Sequence, residues 1–413
     1  MKSYSKGKIP QIIFGSKKTN ELIHYLLSSN VHKCLIVSDS RMIEHNISIE
    51  MLKMLDEAKI AYEIYSEVNS EPTDQMCLEV SHLIKENHYE AVIGLGGGSP
   101  MDAAKAGSLI AGIPQEIKDL HQYGKSGNMM KEEWQRPCLL ILIPTTSGTG
   151  SEVTPFAVIT DKKENKKYPL TDYALTPTIA IVDPEFVMSL PGAIAADTGI
   201  DVLTHAVEAY VSILASDFTD GWAKQAVKLV FDYLEESVKE GTPLSREKMH
   251  NAATIAGMAF ANAFLGMNHS LAHKIGGEFH VPHGRTNGIL LPHVIRYNGS
   301  MPTKLNIWPK IENFKADVKY MELAQLIGLN PKTPAEGVQM FADACEELCH
   351  KVNLASNIES QGIDKKDWDE AIHRMAMNAY EDQCTPANPR MPMVHDMEAI
   401  LRTIWDYKNK FDK

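Results

Sequence analysis

Short apolar runs alternate with stretches of helical spacing along the first 187 residues of the chain. Five apolar runs, each closed by polar or turn-forming residues, predict buried strands: Lys33–Asp39, Ala61–Tyr65, Glu90–Leu95, Leu139–Ile143 and Ile179–Val182. Helical spacing fills intervals between them: after Asp39 to about Ala58, Thr73–Asn87 and Pro100–Ala111. Alternation of this kind is typical of a mostly parallel sheet covered by helices.

The pattern changes after Leu190-Pro191-Gly192. From Ala193 to Lys413 the apolar residues recur mainly at helical spacing, and strand candidates are few. We therefore predict two domains, an α/β domain over residues 1–187 with a mostly parallel sheet, and an all-α domain over residues 188–413. Ligands usually sit at the carboxyl ends of parallel strands and between domains, so we expect the chemistry there.

The composition is that of a folded globular protein: 413 residues, 44% hydrophobic and 23% charged. A net charge of −12 argues against a nucleic-acid partner, because phosphate binding relies on surplus Lys and Arg. We see no apolar run of the roughly 18–20 residues that span a bilayer and no signal-peptide core, and we predict a cytoplasmic protein without a membrane partner. The six cysteines are scattered apart from Cys345 and Cys349, which favours reduced, buried thiols over disulfides.

The glycine-rich segment Gly94–Pro100 joins a predicted strand to a predicted helix. Glycines let backbone N–H groups approach a phosphate closely, and a helix N-terminus adds partial positive charge. The order of glycines departs from the G-x-G-x-x-G fingerprint, since Ser99 stands at the last position, and the segment follows a later strand. A tight structural turn is the alternative interpretation of this segment.

A second polar loop, Pro144–Glu152, also follows a predicted strand directly. Its density of hydroxyls and small residues suits a pyrophosphate or ribose, although a polar surface loop would have similar composition. Asp39 closes the first strand, where a carboxylate accepts hydrogen bonds from a ribose diol and repels a 2′-phosphate. These features together favour NAD(H) over NADP(H).

Carboxylate and imidazole groups cluster in the second half of the chain. Asp201 and His205 stand four residues apart on a helical pattern, and His269 and His273 repeat that spacing. Gly276-Gly277 predicts a break after them, and His283 follows in a predicted turn. One carboxylate with several imidazoles is a good donor set for a divalent transition metal, but His280 lies nearby and spacing alone does not select the ligands.

These motifs resemble the signatures of the iron-containing (group III) alcohol dehydrogenase family. The matching segments follow the family's order along the chain: Gly96–Lys105, Pro144–Thr154, Gly199–Tyr210, His269–Gly284 and Cys384–Arg390. The resemblance implies an N-terminal domain that binds NAD(P) and a helical C-terminal domain that holds one divalent metal, Fe²⁺ before Zn²⁺ or Mn²⁺. It also implies a homo-oligomer, a dimer or larger.

The resemblance further implies a role for particular residues. Asp201, His205, His269 and His283 correspond to the metal ligands, and His273 corresponds to an imidazole assigned to proton transfer. The cofactor-binding positions are Asp39, Gly97, Gly98, Ser99, Asp102, Thr145, Thr146, Thr149 and Lys167. The substrate-pocket positions are Phe156, Phe260, Leu265 and Cys384. Phe156 replaces a polar residue found in some diol enzymes of the family, which leaves the substrate open.

The expected reaction is hydride transfer between NAD(H) and a small primary alcohol or aldehyde, with the protein acting as an aldehyde reductase. An aldehyde that carries a carboxylate, sulfonate or phosphonate is an alternative substrate, with Arg390 as a candidate anion partner. A lyase of the dehydroquinate-synthase type is a further alternative, although such enzymes typically use three protein ligands and His269 supplies a fourth. A binding protein without catalysis is the alternative from another class.

Overall fold

The computed structural model describes residues 9–69, 71–113, 135–162, 166–302 and 314–411. The chain forms two compact units, Met1–Ser189 and Leu190–Lys413. Among the described residues, no helix is both long enough and apolar enough to cross a membrane. The predicted fold class is confirmed, with a parallel sheet in the first unit and helices in the second.

The first unit is built on six parallel strands, in the order β3-β2-β4-β5-β8-β1. Their bounds are β1 Gln11–Phe14, β2 Lys33–Val37, β3 Ala61–Tyr65, β4 Ala91–Gly96, β5 Leu139–Pro144 and β8 Ile179–Val182. The central strands β2, β4, β5 and β8 are almost entirely buried. Burial on both faces explains why these strands read as continuous apolar runs in the sequence.

Five α-helices lie in the described part of this unit: α1 Glu21–Ser28, α2 Ser40–Ile43, α3 Asn46–Glu57, α4 Asp74–Asn87 and α5 Gly98–Gly112. α1 and α3 pack on one face of the sheet through Leu22 and Met51. α4 and α5 pack on the other face through Val80 and Met101. The Thr73 hydroxyl caps α4 by accepting the N–H of Met76, as expected for a threonine at this position.

A topological switch point lies between β2 and β4. The chain leaves β2 towards β3 on one side and leaves β4 towards β5 on the other, although β2 and β4 are neighbours. Loops that leave adjacent strands in opposite directions open a crevice at the carboxyl ends, which is where ligands bind in open α/β sheets. Asp39 follows β2 and Gly97 follows β4, so both residues border this crevice.

Two features of the first unit were absent from the predicted elements. β1 is a four-residue edge strand paired with β8, and it is too short to give a clear periodic signal. The strands β6 Phe156–Asp161 and β7 Lys166–Thr171 form a separate antiparallel pair. Lysines and Pro169 interrupt the apolar pattern of β7, which explains why this strand escapes detection.

The described part of the second unit is helical. Its helices are α6 Gly192–Val211, α7 Asp217–Lys239, α8 Pro243–Ala263, α9 Met267–Phe279, α10 His283–Asn298, α11 Ala316–Leu326, α12 Pro334–Lys351, α13 Lys365–Tyr380 and α14 Val394–Thr403. Ser216 and Thr242 cap α7 and α8 by accepting backbone N–H groups. Helices α9, α10, α13 and α14 pack around the buried Trp368.

Candidate active site

Asp201, His205 and His269 converge inside the second unit. One ligand atom from each lies within 4.8 Å of the others, and all three side chains are buried. Nε2 of His283 lies 3.5 Å from Oδ1 of Asp201, and Nε2 of His269 lies 3.6 Å from the same oxygen. Helix spacing on α6 accounts for Asp201 and His205, whereas tertiary packing brings α9 and α10 to them.

Two glycines allow the close packing that assembles this cluster. A Cβ on Gly284 would lie 1.9 Å from the carbonyl oxygen of Asp197, so α10 begins against the backbone of α6 and His283 reaches Asp201. A Cβ on Gly266 would lie 2.6 Å from Oδ1 of Asn388. The backbone contact leaves no room for a larger residue at Gly284, and a Cβ at Gly266 would displace the side-chain oxygens of Asn388 and Glu208.

The electrostatics of the cluster favour a cation. Burial alone would raise the pKa of Asp201, but the neighbouring His205, His283 and His269 hold it well below its ordinary value. Burial alone would lower the pKa of His269, but the hydrogen bonds and charges of Asp201 and Glu208 raise it to about 9. The imidazoles outweigh burial at Asp201, whereas the carboxylates of Asp201 and Glu208 outweigh it at His269, where they favour a positive charge.

The donor set fits a divalent transition metal. It joins one carboxylate oxygen to imidazole nitrogens, which is the mixture that zinc and iron sites use in proteins. The Asn287 amide is enclosed by the same atoms: its Nδ2 lies 2.7 Å from Oδ1 of Asp201, 3.2 Å from Nε2 of His269 and 3.1 Å from Nε2 of His283. The side chain of His283 is 41% exposed, so the cluster is open to small molecules on that side.

His273 borders the cluster one turn beyond His269. Its ring stacks on that of His283, with the centroids 5.5 Å apart, and its Nδ1 lies 3.2 Å from Oδ2 of Asp382. Burial would raise the pKa of Asp382, but hydrogen bonds and charges from His273 and Lys274 hold it well below its ordinary value. Asp382 is therefore a charged hydrogen-bond acceptor that holds the ring of His273 in place.

Three of the four predicted pocket residues belong to this unit and are buried: Phe260, Leu265 and Cys384. The Phe260 ring stacks on His205 with the centroids 4.5 Å apart. The backbone N–H of Cys384 donates to Asp382, the same carboxylate that contacts His273. Phe156 begins β6 in the other unit, where its carbonyl accepts a hydrogen bond from Lys105.

Two local predictions in this region were wrong. Gly276-Gly277 does not break the helix, since α9 continues to Phe279. Each helical glycine destabilises by only about 1 kcal/mol, and packing of the helix outweighs that amount. His283 does not lie in a turn but is the first residue of α10. His280 ends α9 with a left-handed backbone and is exposed, which separates it from the buried donors.

The glycine-rich turn of the first unit lies beside the second polar loop. The register pairs Gly96 with Pro144, and the N–H of Thr145 donates to the carbonyl of Gly96. A Cβ on Gly97 would lie 3.5 Å from Cγ2 of Thr146, and one on Gly98 would lie 3.0 Å from Cγ2 of Thr149. The glycines therefore leave room between the two loops.

Exposure within these loops is uneven. Gly97, Gly98, Ser99, Thr146 and Thr149 are partly exposed, whereas Thr145 is buried. Because Gly98 and Ser99 open α5, their N–H groups are among the first of the helix, which have no partner within it. The arrangement suits an anionic ligand such as a pyrophosphate.

Asp102 lies on α5 just after this turn, and its buried carboxylate bonds to the end of the second polar loop and to the segment that follows it. Its Oδ1 accepts the hydroxyl of Ser151 at 2.6 Å, and its Oδ2 accepts the N–H of Val158 at 2.9 Å. The ammonium of the fully buried Lys105 lies 3.9 Å from Asp102 and donates to the hydroxyls of Ser151 and Thr154. Burial raises the pKa of Asp102 and lowers the pKa of Lys105 to about 8.

The remaining predicted residues have local partners. Asp39 is partly exposed at the end of β2, where it caps α2 by accepting the N–H of Met42 at 2.9 Å. Lys167 on β7 forms an ion pair with Glu71. In the second unit, the guanidinium of Arg390 lies 4.0 Å from the ring centroid of Tyr297 and donates to its carbonyl, contacts that do not favour a substrate-anion role.

Glu208, Asn287 and Asp382 take part in the site although sequence analysis did not select them. Glu208 stands seven residues after Asp201, on the helix face that also carries His205, so extending the spacing would have found it. Asn287 stands four residues after His283, so the same extension of the helical spacing would have found it. Asp382 reaches His273 only through tertiary packing, and no local pattern indicates it.

Family comparisons cover nearly all of the chain. Residues 10–184 match the family profile described as "Iron-containing alcohol dehydrogenase", and residues 195–405 match "Fe-containing alcohol dehydrogenase family, C-terminal". The chain is 51% identical to an aldehyde-alcohol dehydrogenase of Streptococcus pneumoniae over 92% of its own length. The chain spans only 44% of that relative, so it matches about half of a longer protein.

Two further similarities extend over whole chains. An NADPH-dependent butanol dehydrogenase of Clostridium saccharobutylicum is 34% identical, with 96% of this chain and 97% of the relative covered. The crystal structure of a 1,3-propanediol oxidoreductase superimposes with a TM-score of 0.88 at 29% identity, with 98% of this chain and 100% of that one covered. The two-unit architecture is thus that of a known group of oxidoreductases.

Proposed function

The chain belongs to the iron-containing alcohol dehydrogenase family, and we propose that it is an aldehyde reductase that transfers hydride from NADH to a small aldehyde. The reverse reaction oxidises the corresponding primary alcohol with NAD⁺. The observation that carries this proposal is the convergence of Asp201, His205 and His269, with His283 beside them, in one unit of a chain whose other unit has a glycine-rich turn at its switch point.

In this proposal Asp201, His205, His269 and His283 hold one divalent ion, Fe²⁺ in the first place, with Zn²⁺ or Mn²⁺ as alternatives. A bound divalent ion supplies Lewis-acid polarisation of the carbonyl oxygen. The convergence of a buried carboxylate with imidazoles supports this assignment, as does the low pKa of Asp201, which keeps its carboxylate charged. The stacked ring of Phe260 helps to keep water from His205.

We assign the nucleotide to the crevice between β2 and β4, and NAD(H) supplies the hydride. The N–H groups that open α5 bind its pyrophosphate, with Thr146 and Thr149 across the crevice. Support comes from the gap that Gly97 and Gly98 leave beside these threonines. Asp39 binds the ribose diol and selects NAD(H), which is proposed although one relative is NADPH-dependent.

His273 is the proposed proton donor to the product oxygen. Its Nδ1 is engaged by Asp382, so Nε2 is the nitrogen that can exchange a proton with a ligand. Histidine is the side chain most often used as a general acid or base. The side chain of His273 is 34% exposed, so a proton can be replaced from solvent.

A metal-defined activity assay tests the proposal. The apo-protein is reconstituted with Fe²⁺, Zn²⁺ or Mn²⁺, and NADH absorbance is followed with a panel of neutral and anionic aldehydes. We expect metal-dependent oxidation of NADH by small neutral aldehydes, and loss of bound metal and nearly all turnover in Asp201→Ala and His269→Ala with NADH binding retained. Full turnover in a verified metal-free variant would contradict the mechanism. A preference for anionic aldehydes would replace the substrate class, and turnover without net redox would indicate a lyase.

A further inference from the structure

Glu208 is a buried carboxylate that the proposed reaction does not yet use. It stands on α6, seven residues after Asp201, and is 3% exposed. Its Oε1 accepts the backbone N–H of Asn268 at 2.7 Å, and its Oε2 lies 2.5 Å from Nδ1 of His269. Both oxygens are therefore directed at the first turn of α9, which carries one of the proposed metal ligands.

The contact determines which nitrogen of His269 is free. A carboxylate can only accept, so the ring hydrogen of neutral His269 must lie on Nδ1 and the lone pair on Nε2. Nε2 is the nitrogen that faces the cluster, 3.6 Å from Oδ1 of Asp201 and 3.2 Å from Nδ2 of Asn287. Carboxylates that hold a ligating histidine in this way fix its tautomer, orient its ring and increase its basicity.

Packing holds Glu208 in this position. Gly266 lies directly over the carboxylate, because a Cβ there would be 2.9 Å from its Oε1. Asn388 lies on the same side of Gly266, with its Oδ1 2.6 Å from the position of that Cβ, and this oxygen accepts the N–H of Met267 at 3.0 Å. The turn between α8 and α9 is thus tied down at two consecutive N–H groups, those of Met267 and Asn268.

The charge of the cluster gives a second, independent argument. Asp201 and Glu208 are both buried, and the ion pairs described for them are with histidines. One protonated imidazole compensates only one of these two buried carboxylates, whereas a divalent cation compensates both. Neutral histidines and one divalent cation would bring the pair to a net charge of zero.

We propose that Glu208 is a positioning residue for the metal: it holds His269 with Nε2 towards the ion and supplies the second negative charge that matches a divalent cation. This inference rests on the proposed function, because it presumes the ion held by Asp201 and the three histidines. It adds a role for Glu208 that the sequence pattern alone did not indicate. The predicted consequence is that metal affinity depends on a carboxylate that does not itself bind the ion.

Zinc affinity of the full-length apo-protein tests the role of Glu208. Zn²⁺ is titrated in competition with a chromophoric chelator, with wild type, Glu208→Gln and Glu346→Gln compared. Gln keeps the shape of Glu208 but turns an NH₂ group towards one of its two N–H partners, and we expect affinity to fall about 10–100-fold. Glu346 is an equally buried carboxylate of the same unit, bound by Arg296 and Tyr407, so its variant controls for the loss of a buried charge.

A spectroscopic signature separates positioning from general stability. With Co²⁺ bound, we expect the visible absorption bands of Glu208→Gln to shift relative to wild type, and those of Glu346→Gln to match it. Zinc affinity of folded Glu208→Gln equal to that of wild type would overturn the inference. If Asp201→Ala and His269→Ala also bind zinc like wild type, the proposed metal site fails as well; if only they lose it, the role of Glu208 alone fails.

A measurement on the wild type covers the case in which Glu208→Gln does not fold. In zinc-loaded protein with ¹⁵N-labelled histidine, Nδ1 of His269 should resonate as a protonated nitrogen and Nε2 as a metal-bound one. The resonances are assigned by their loss in His269→Gln. A metal-bound or unprotonated Nδ1 would overturn the inference without any change at Glu208.

Discussion

Replacing the buried Lys105 with methionine should destabilise the first unit by several kcal/mol. The ammonium donates to the hydroxyls of Ser151 and Thr154 and to the carbonyl of Phe156, at 2.8–3.0 Å, and it lies 3.9 Å from Asp102. Methionine retains the length of the side chain but none of the donors. The variant therefore leaves a buried carboxylate without its cation and three acceptors without a hydrogen.

Removing one partner of a buried ion pair costs about 3–5 kcal/mol. We take the lower end, about 3 kcal/mol, because Asp102 keeps the hydrogen bonds from Ser151 and Val158. In a unit of this size about 1 kcal/mol shifts the melting temperature by roughly 2–4 °C, so the expected loss is about 6–12 °C. The control is Lys18→Met, since Lys18 forms an exposed pair with Glu21 that is worth about 1 kcal/mol or less.

Calorimetry of the apo-protein measures this loss, and the transition that rises when NADH is added identifies the first unit. The pH dependence gives a further test. The pKa of Lys105 is about 8 in the folded protein against an ordinary 10.5, so folding releases a proton between these values and wild type gains stability as pH rises. The difference between wild type and Lys105→Met should be larger at about pH 9 than at about pH 7. A Lys105→Met melting point as close to wild type as that of Lys18→Met would show that the buried ammonium does not stabilise the first unit.

Three further variants test the nucleotide and proton-transfer assignments. Asp39→Gly should raise the ratio of kcat/KM with NADPH to that with NADH about ten-fold or more, because a carboxylate there repels the 2′-phosphate; an unchanged ratio contradicts its placement beside the ribose. Gly98→Ala puts a Cβ 3.0 Å from Cγ2 of Thr149 and should weaken NADH binding about ten-fold in a fluorescence titration, while zinc affinity is retained; wild-type NADH affinity would mean that the ligand lies elsewhere. Asp382→Asn loosens the ring of His273 and should lower kcat about ten-fold or more with a smaller change in KM, and an unaltered kcat across the pH range argues against His273 as proton donor.

Much of the fold follows from local patterns in the sequence. The buried strands β2, β4, β5 and β8 were all predicted, because strands covered on both faces must be apolar throughout. The edge strand β1 was missed because it has only four residues, and β7 was missed because lysines and Pro169 interrupt its apolar pattern. The break predicted at Gly276-Gly277 was wrong because the free energy gained by packing α9 exceeds the low helix propensity of two glycines.

The candidate site shows a similar limit. Asp201 with His205 and His269 with His273 can be found by their four-residue spacing on single helices. The partners that orient them lie across helix contacts: Glu208 on α6 faces His269 on α9, and Asp382 lies far along the chain from His273. Pairing of this kind depends on how helices pack, and periodicity within one segment carries no information about it.

Anomalous diffraction can show whether Asp201, His205, His269 and His283 share one divalent ion. Crystals of the full-length protein grown with Zn²⁺ should show a strong anomalous peak about 2.0–2.2 Å from one oxygen of Asp201 and one nitrogen of each histidine. Zinc bound elsewhere with none at these four side chains, or a separation too large for them to reach one ion, would show that they do not form the metal site.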